Sequence, residues 1–103
     1  MKIVQVTYTT QPEFAEINMA NIKTVMNDLQ LLNHPGINYS ACLGSDRKTF
    51  THTAFFQLEE DQKVLFELSS FKNFQEHLKS SIPEVPPKQE TLTLVGSSKN
   101  IFN

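Results

Sequence analysis

A few side chains in this sequence join chemical capability to positions that point inward. Asn18 lies near the middle of an apolar helical stripe made by Ala15, Ile22, Val25 and Leu29, with Asn21 at its edge. A carboxamide turned toward a core must find partners, or its burial costs roughly 1–3 kcal/mol. It is either a pocket-lining amide that fixes a ligand or orients O2 chemistry, or a structural amide bonded to backbone or buried water. His52 sits mid-strand between Phe50 and Ala54, on the same face as Phe56. If that face looks at the helices, Asn18 and Tyr8 become its neighbours, and burial lowers its pKa and leaves a neutral imidazole. Such a group can act as general base toward a phenol or an acidic proton α to a carbonyl. The plainer reading is a satisfied core histidine. Tyr8 and Tyr39 each alternate with aliphatic residues, so each can turn a hydroxyl into a cavity or simply fill the core. His52 is therefore the candidate catalytic residue, and Asn18, Tyr8, Tyr39 and Phe56 are the candidate substrate contacts.

The other reactive residues assemble into nothing by spacing. Cys42 has no neighbouring Lys, Arg or His in sequence and reads as a packed thiol. His34 precedes Pro35 and reads as a helix terminator; His77 falls beside an apolar stripe and reads as a surface residue. The three histidines show no HxH, HxxxH or HExxH spacing, so no metal site is expected. A single cysteine excludes an internal disulfide and a multi-thiolate site within one chain. Three glycines build no phosphate-binding loop. No cofactor is expected. Eleven acids against nine bases give a net charge of −2 without a basic stripe, which argues against nucleic acid and anionic membrane as partners. The start, Met-Lys-Ile-Val-Gln-Val-Thr-Tyr, has no signal-like apolar region, and no apolar run approaches the ~18 residues that span a bilayer. The expected compartment is the cytoplasm.

The elements that must hold these residues follow from periodicity. Residues 3–9 alternate as a strand. Thr10-Gln11-Pro12-Glu13 has capping-box spacing and introduces a helix over about 11–32, with Phe14, Ala15, Met19, Ile22, Val25, Met26, Leu29 and Leu32 on one face. His34-Pro35-Gly36 stops it. Residues 37–43 and 49–58 read as a hairpin around the polar turn 44–48. Glu59-Glu60-Asp61 places acids at a helix start. Val64, Leu65 and Leu68 give a short helix, and Ser69-Ser70 interrupts it and caps the next, which carries Phe71, Phe74 and Leu78. Residues 83–87 read as an extended connector, 91–95 as a fourth strand, and the domain as 1–97 with a tail over 98–103. The order β-α-β-β-α-β predicts an α+β, ferredoxin-like fold: a four-stranded antiparallel sheet with helices on one face.

The four expected strands, taken as 3–9, 37–44, 50–57 and 91–97, contain no Asp, Glu, Lys or Arg. About six charges would be expected among so many positions at average usage. The helices hide one face. The other would show Ile3, Gln5, Thr7, Ser40, Cys42, Thr51, Thr53, Phe55, Thr93 and Val95, an uncharged surface of several hundred Å². The economical cover is the same face of a second copy about a two-fold axis; the simpler alternative is a Thr-rich sheet that sits in water.

The element order resembles that of the dimeric α/β barrel proteins, in particular the antibiotic-biosynthesis-monooxygenase-like branch. So do the third strand feeding an acidic helix start (Phe55-Phe56-Gln57-Leu58-Glu59-Glu60-Asp61), the broken helix Leu68-Ser69-Ser70-Phe71-Lys72-Asn73-Phe74-Gln75-Glu76-His77-Leu78, and the Pro-rich connector leading to a strand near Thr91-Leu92-Thr93-Leu94. The resemblance implies a homodimer whose sheets form one barrel, with a small pocket between sheet and helices. It also implies cofactor-independent oxidation of electron-rich aromatics, or haem degradation. Pocket Trp residues are common in both groups, and this chain has no Trp. The haem degraders carry an Asn late in the first strand, where this chain has Val6-Thr7-Tyr8-Thr9, which disfavours haem degradation. Two functions are carried forward. One is a monooxygenase-like enzyme on a small aromatic or polyketide-like substrate. The other is a non-catalytic small-ligand-binding or interaction module of the same fold. A cavity of ~300 Å³ or more with convergent polar groups favours the first; a core filled by Met19, Met26, Phe50 and Phe56 favours the second.

Overall fold

The computed structural model describes residues 1–102. Strand β1 (Lys2–Thr9) leads through a 3-10 turn (Pro12–Phe14) into helix α1 (Ala15–Leu32). Strands β2 (Ile37–Leu43) and β3 (Thr49–Phe56) form the hairpin, and helices α2 (Asp61–Glu67) and α3 (Ser69–Ser80) precede strand β4 (Val85–Leu92). The sheet order is β2-β3-β1-β4, with β1–β3, β1–β4 and β2–β3 all antiparallel. This is the expected ferredoxin-like α+β arrangement. No helix among the described residues is long and apolar enough to cross a membrane.

Strand parity divides the sheet. Val4 pairs with Ala54, Val6 with His52 and Tyr8 with Phe50, and these positions face the helices. Tyr8, Phe50 and Phe56 of the sheet, Val25 of α1, Leu65 of α2 and Phe74 of α3 are all buried in one core. Asn18 is also completely buried, as its place in the apolar stripe predicts.

Several local expectations are overturned. Thr10 does not cap the helix: its backbone NH and its hydroxyl both go to the Lys48 carbonyl, at 2.9 and 3.4 Å. No side chain caps α1, which starts instead through the 3-10 turn at Pro12, where a missing NH costs little. The helix ends at Asn33, not His34. Asn33 turns left-handed (φ 49°) and donates its NH to the Leu29 carbonyl. The serines do not cap α3 either; Leu68, in an extended conformation, holds that position. Cys42 is not packed: it stands exposed on the helix-free face of β2.

The fourth strand lies at 85–92 rather than 91–95. The expected connector thus contributes Val85, Pro86 and Pro87 to the strand itself. Proline is tolerated because β4 is an edge strand and because its pairing with β1 breaks register between Thr7 and Thr9. The shift also corrects the charge count. Lys88 pairs with Thr7 and Glu90 with Gln5, so the helix-free face is charged along β4, while its positions on β1, β2 and β3 remain uncharged. Ile101 and Phe102 are half-buried beside Asn33, Pro35 and Asn38, so the expected tail returns from the β4 edge to the β2 edge. Asn103, the last residue of that tail, lies outside the described residues.

Candidate active site

The four inward-pointing polar side chains form a single hydrogen-bonded chain. Asn18 Nδ2 donates to the Tyr8 hydroxyl over 2.8 Å. The Tyr8 hydroxyl meets His52 Nε2 at 2.8 Å, and His52 Nδ1 meets the Tyr39 hydroxyl at 2.6 Å. The order is therefore Asn18–Tyr8–His52–Tyr39, one contribution each from α1, β1, β3 and β2. Strand pairing sets the spacing: Val6 and Ala41 are the partners directly opposite His52, so each tyrosine reaches it diagonally, two residues along. The rings are fixed by aromatic neighbours. Tyr8 stacks on Phe50 with centroids 5.5 Å apart, Phe74 lies 5.3 Å from His52, and Phe71 meets Tyr39 edge-on at 6.3 Å.

Burial sets the protonation states. His52 is 4% exposed, and desolvation pushes its pKa down to about 4, so it is neutral at pH 7. Desolvation raises the Tyr8 and Tyr39 pKa values well above the usual phenol, and both remain protonated. A neutral imidazole has one NH donor and one acceptor nitrogen. If Nε2 accepts from Tyr8, then Nδ1–H donates to Tyr39, and every hydroxyl and ring nitrogen in the chain is satisfied except the Tyr39 proton. The opposite tautomer strands the hydroxyl proton of Tyr8, which is only 1% exposed. Orphaning a buried donor is the more costly arrangement. With Asn18 Nδ2 as the donor to Tyr8, the first tautomer is the less costly, and the donors then run Asn18→Tyr8→His52→Tyr39 with one free O–H at the end.

That end opens onto a cavity of about 390 Å³ between the sheet and α3. Tyr8, Tyr39 and His52 form its polar side; Val6, Phe71, Phe74, Leu78 and the prolines Pro83, Pro86 and Pro87 form apolar walls; Gln75 and Lys79 complete it. Asn18 stands behind Tyr8 and is not part of this wall. Its Oδ1 is buried without a hydrogen-bond partner. Phe56 does not line this cavity either. It is 1% exposed and borders a smaller adjoining one of about 90 Å³, which shares Tyr39 and His52. Met19, Met26 and Phe50, a potential filling, instead line a separate groove along β2. Among the described residues no three His, Cys, Asp or Glu side chains converge to hold a metal ion.

No family model matches the chain, and no curated protein matches its sequence. Its shape does have counterparts among solved structures. A Bacteroides thetaiotaomicron protein provisionally named an antibiotic biosynthesis monooxygenase superposes with a TM-score of 0.82 at 17% identity, over 97% of this chain and 94% of that one. One from Nitrosomonas europaea with the same provisional name gives 0.79 at 12% identity, over 93% of this chain and 100% of that one. A third, from Deinococcus radiodurans, gives 0.70 at 16% identity with both chains fully covered. The fold is that of the antibiotic biosynthesis monooxygenase structures.

Within this monooxygenase-type fold, sequence reasoning missed the cavity wall. The prolines looked like a linker. The register break that places Pro86 and Pro87 falls across from Tyr8, between its neighbours Thr7 and Thr9. A bulge beside the reactive residues re-aims the strand that closes the site. A Pro-Pro pair between a helix and an alternating segment was the available signal. Gln75 and Lys79 gave only the weaker signal of sharing a helical face with Phe71 and Leu78.

Proposed function

We propose that the protein is a monooxygenase-like enzyme acting on a small aromatic or polyketide-like substrate, and that the Tyr39 hydroxyl holds the substrate oxygen on which negative charge develops. The observation that carries this reading is the hydrogen-bonded chain Asn18–Tyr8–His52–Tyr39 ending at a largely apolar cavity of about 390 Å³. His52 serves as a positioning residue rather than as the base. Both its ring nitrogens are engaged by tyrosines. Its pKa of about 4 also makes it a poor acceptor: against a phenol near 10, proton transfer is uphill by about 8 kcal/mol. A hydrogen-bond donor held in a dry site instead stabilises an enolate or phenolate without taking up its proton.

The corresponding reaction converts an activated CH2 and O2 into C=O and water. The substrate supplies the electrons, one oxygen atom enters the product and the other leaves as water. The substrate loses its proton to hydroxide or a buffer base in bulk solvent and enters as the enolate or phenolate, and that proton is returned in the water formed, so none is released overall. Oxygen uptake with a panel of anthrone-type substrates, phenols and hydroquinones tests this. Uptake should occur with at least one class, and Tyr39→Phe should lower kcat by about 10²-fold. Binding of the panel without oxygen uptake would establish the non-catalytic ligand-binding alternative.

The helix-free face of β1, β2 and β3 supports a second copy as partner. Gln5, Thr7, Ser40, Thr51, Thr53 and Phe55 give it an uncharged centre, and Lys88 and Glu90, 3.7 Å apart, form a polar margin. An apolar middle with a charged rim is the composition of a protein interface.

A further inference from the structure

We propose that the ligand of this cavity carries an anionic group, of carboxylate type, at its solvent-facing end, and that Lys79 selects for it. The inference rests on the cavity being a ligand site and adds a specificity determinant to that reading.

The wall is chemically asymmetric. Its polar floor offers neutral groups, the Tyr39 hydroxyl and His52, which suit an oxygen without a full charge. Its sides are proline, valine, leucine and phenylalanine and suit a flat hydrocarbon body. Lys79 is the one formally charged residue that lines it, and no acid lines it. Gln75 stands one helical turn earlier on the same face of α3 and adds a second donor. Lys79 makes no ion pair among the described residues, and neither do Lys23, Lys63, Lys72 and Lys99, but of these Lys79 alone lies on this cavity's wall. The side chain is exposed, as a rim residue should be. A phenol-bearing aromatic acid satisfies floor, walls and rim at once: its hydroxyl meets Tyr39, its ring meets Phe71 and Phe74, and its carboxylate meets Lys79.

Lys79 also lies in the last turn of α3, where a cation complements the helix end. That role affects folding stability but does not distinguish one ligand from another. The test is therefore a ratio. The probes are 6-hydroxy-2-naphthoate and its methyl ester, which share ring and hydroxyl and differ in charge. Their Kd values are measured by calorimetry at pH 7.5 in low salt. An exposed ion pair predicts that the acid binds about fivefold tighter than the ester. The preference should shrink in 0.5 M NaCl. It should vanish in Lys79→Gln, survive in Lys79→Arg, and survive in Lys72→Gln, which removes a charge from α3 away from the cavity wall. Equal binding of acid and ester by the unmodified protein overturns the selection by charge and leaves the cavity reading standing. A ratio that persists in Lys79→Gln overturns the assignment to Lys79. Binding of neither probe overturns both the inference and the cavity reading beneath it.

Discussion

Acidification should destabilise this protein through His52. The folded-state pKa is about 4 and the ordinary value is 6.5, so between these two pH values the unfolded chain binds the proton and the folded one does not. Stability is thus fully present above pH 6.5 and is lost as the pH falls toward 4, where the loss levels off. The total is about 3 kcal/mol, and by pH 5 about 2 kcal/mol of it is gone. For a domain of this size that lowers Tm by roughly 10 °C. The assay is thermal or urea unfolding at pH 7.5, 6, 5 and 4.5 for the native protein and for His52→Gln, which keeps a donor and an acceptor without titrating in this range. The variant should be less stable at pH 7.5, and its disadvantage should shrink by about 2 kcal/mol at pH 5. Carboxylate contributions are common to both proteins and cancel in the difference. The His52 ring proton, followed by NMR, gives the pKa directly. Parallel stability curves, or a His52 that titrates at 6 or above, would refute the lowering of the His52 pKa by burial on which the acid sensitivity rests.

Gly36→Ala should destabilise the fold by about 2 kcal/mol, because a Cβ there would overlap the carboxylate of Asp61, which is only 7% exposed and accepts the Leu58 NH over 2.9 Å. Urea unfolding should show that Gly36→Ala adds little to Asp61→Ala, and full additivity would refute the clash. The sheet-to-sheet homodimer proposed above should sediment at twice 11.8 kDa at micromolar concentration, and Thr53→Lys at the middle of that face should halve the mass. A native protein that sediments as a single chain would dispose of the interface.

Much of the fold was legible because its long elements are periodic. The alternation of β1, β2 and β3 and the apolar stripe of α1 located four of the seven main elements closely. Parity alone then put Tyr8, Tyr39 and His52 on one face, and the stripe put Asn18 opposite them. What failed was decided by tertiary context. Thr91 to Val95 has better strand chemistry than Val85 to Glu90, yet the latter span pairs with β1 because an edge position excuses prolines and charges. Thr10 has a textual cap signature, yet the Lys48 carbonyl across the hairpin claims it. Cys42 lies on the helix-free face that its alternation with Ala41 and Leu43 assigns to it, and it stands exposed there because nothing among the described residues of the single chain packs over it. The cavity was out of reach for a similar reason: its walls come from α3 and β4, whose meeting depends on how the chain turns at Ser81 and Ile82.

The buried chain itself argues for function on energetic grounds. A core of this size would be at least as stable with Leu and Phe in place of Asn18, Tyr8, His52 and Tyr39, since hydrogen bonds replace water bonds with little net gain while desolvation is always unfavourable. The arrangement even leaves Asn18 Oδ1 unpaired, a cost of about 1–3 kcal/mol that an apolar residue would avoid. It also makes the fold sensitive to acid through His52. Departures from local consistency of this kind gather at functional sites, where the structure elsewhere compensates for them. Here the compensation is visible in the aromatic rings of Phe50, Phe71 and Phe74, which pack against Tyr8, Tyr39 and His52. Under the function proposed above, what those costs secure is the Tyr39 hydroxyl at the wall of a space large enough for a substrate.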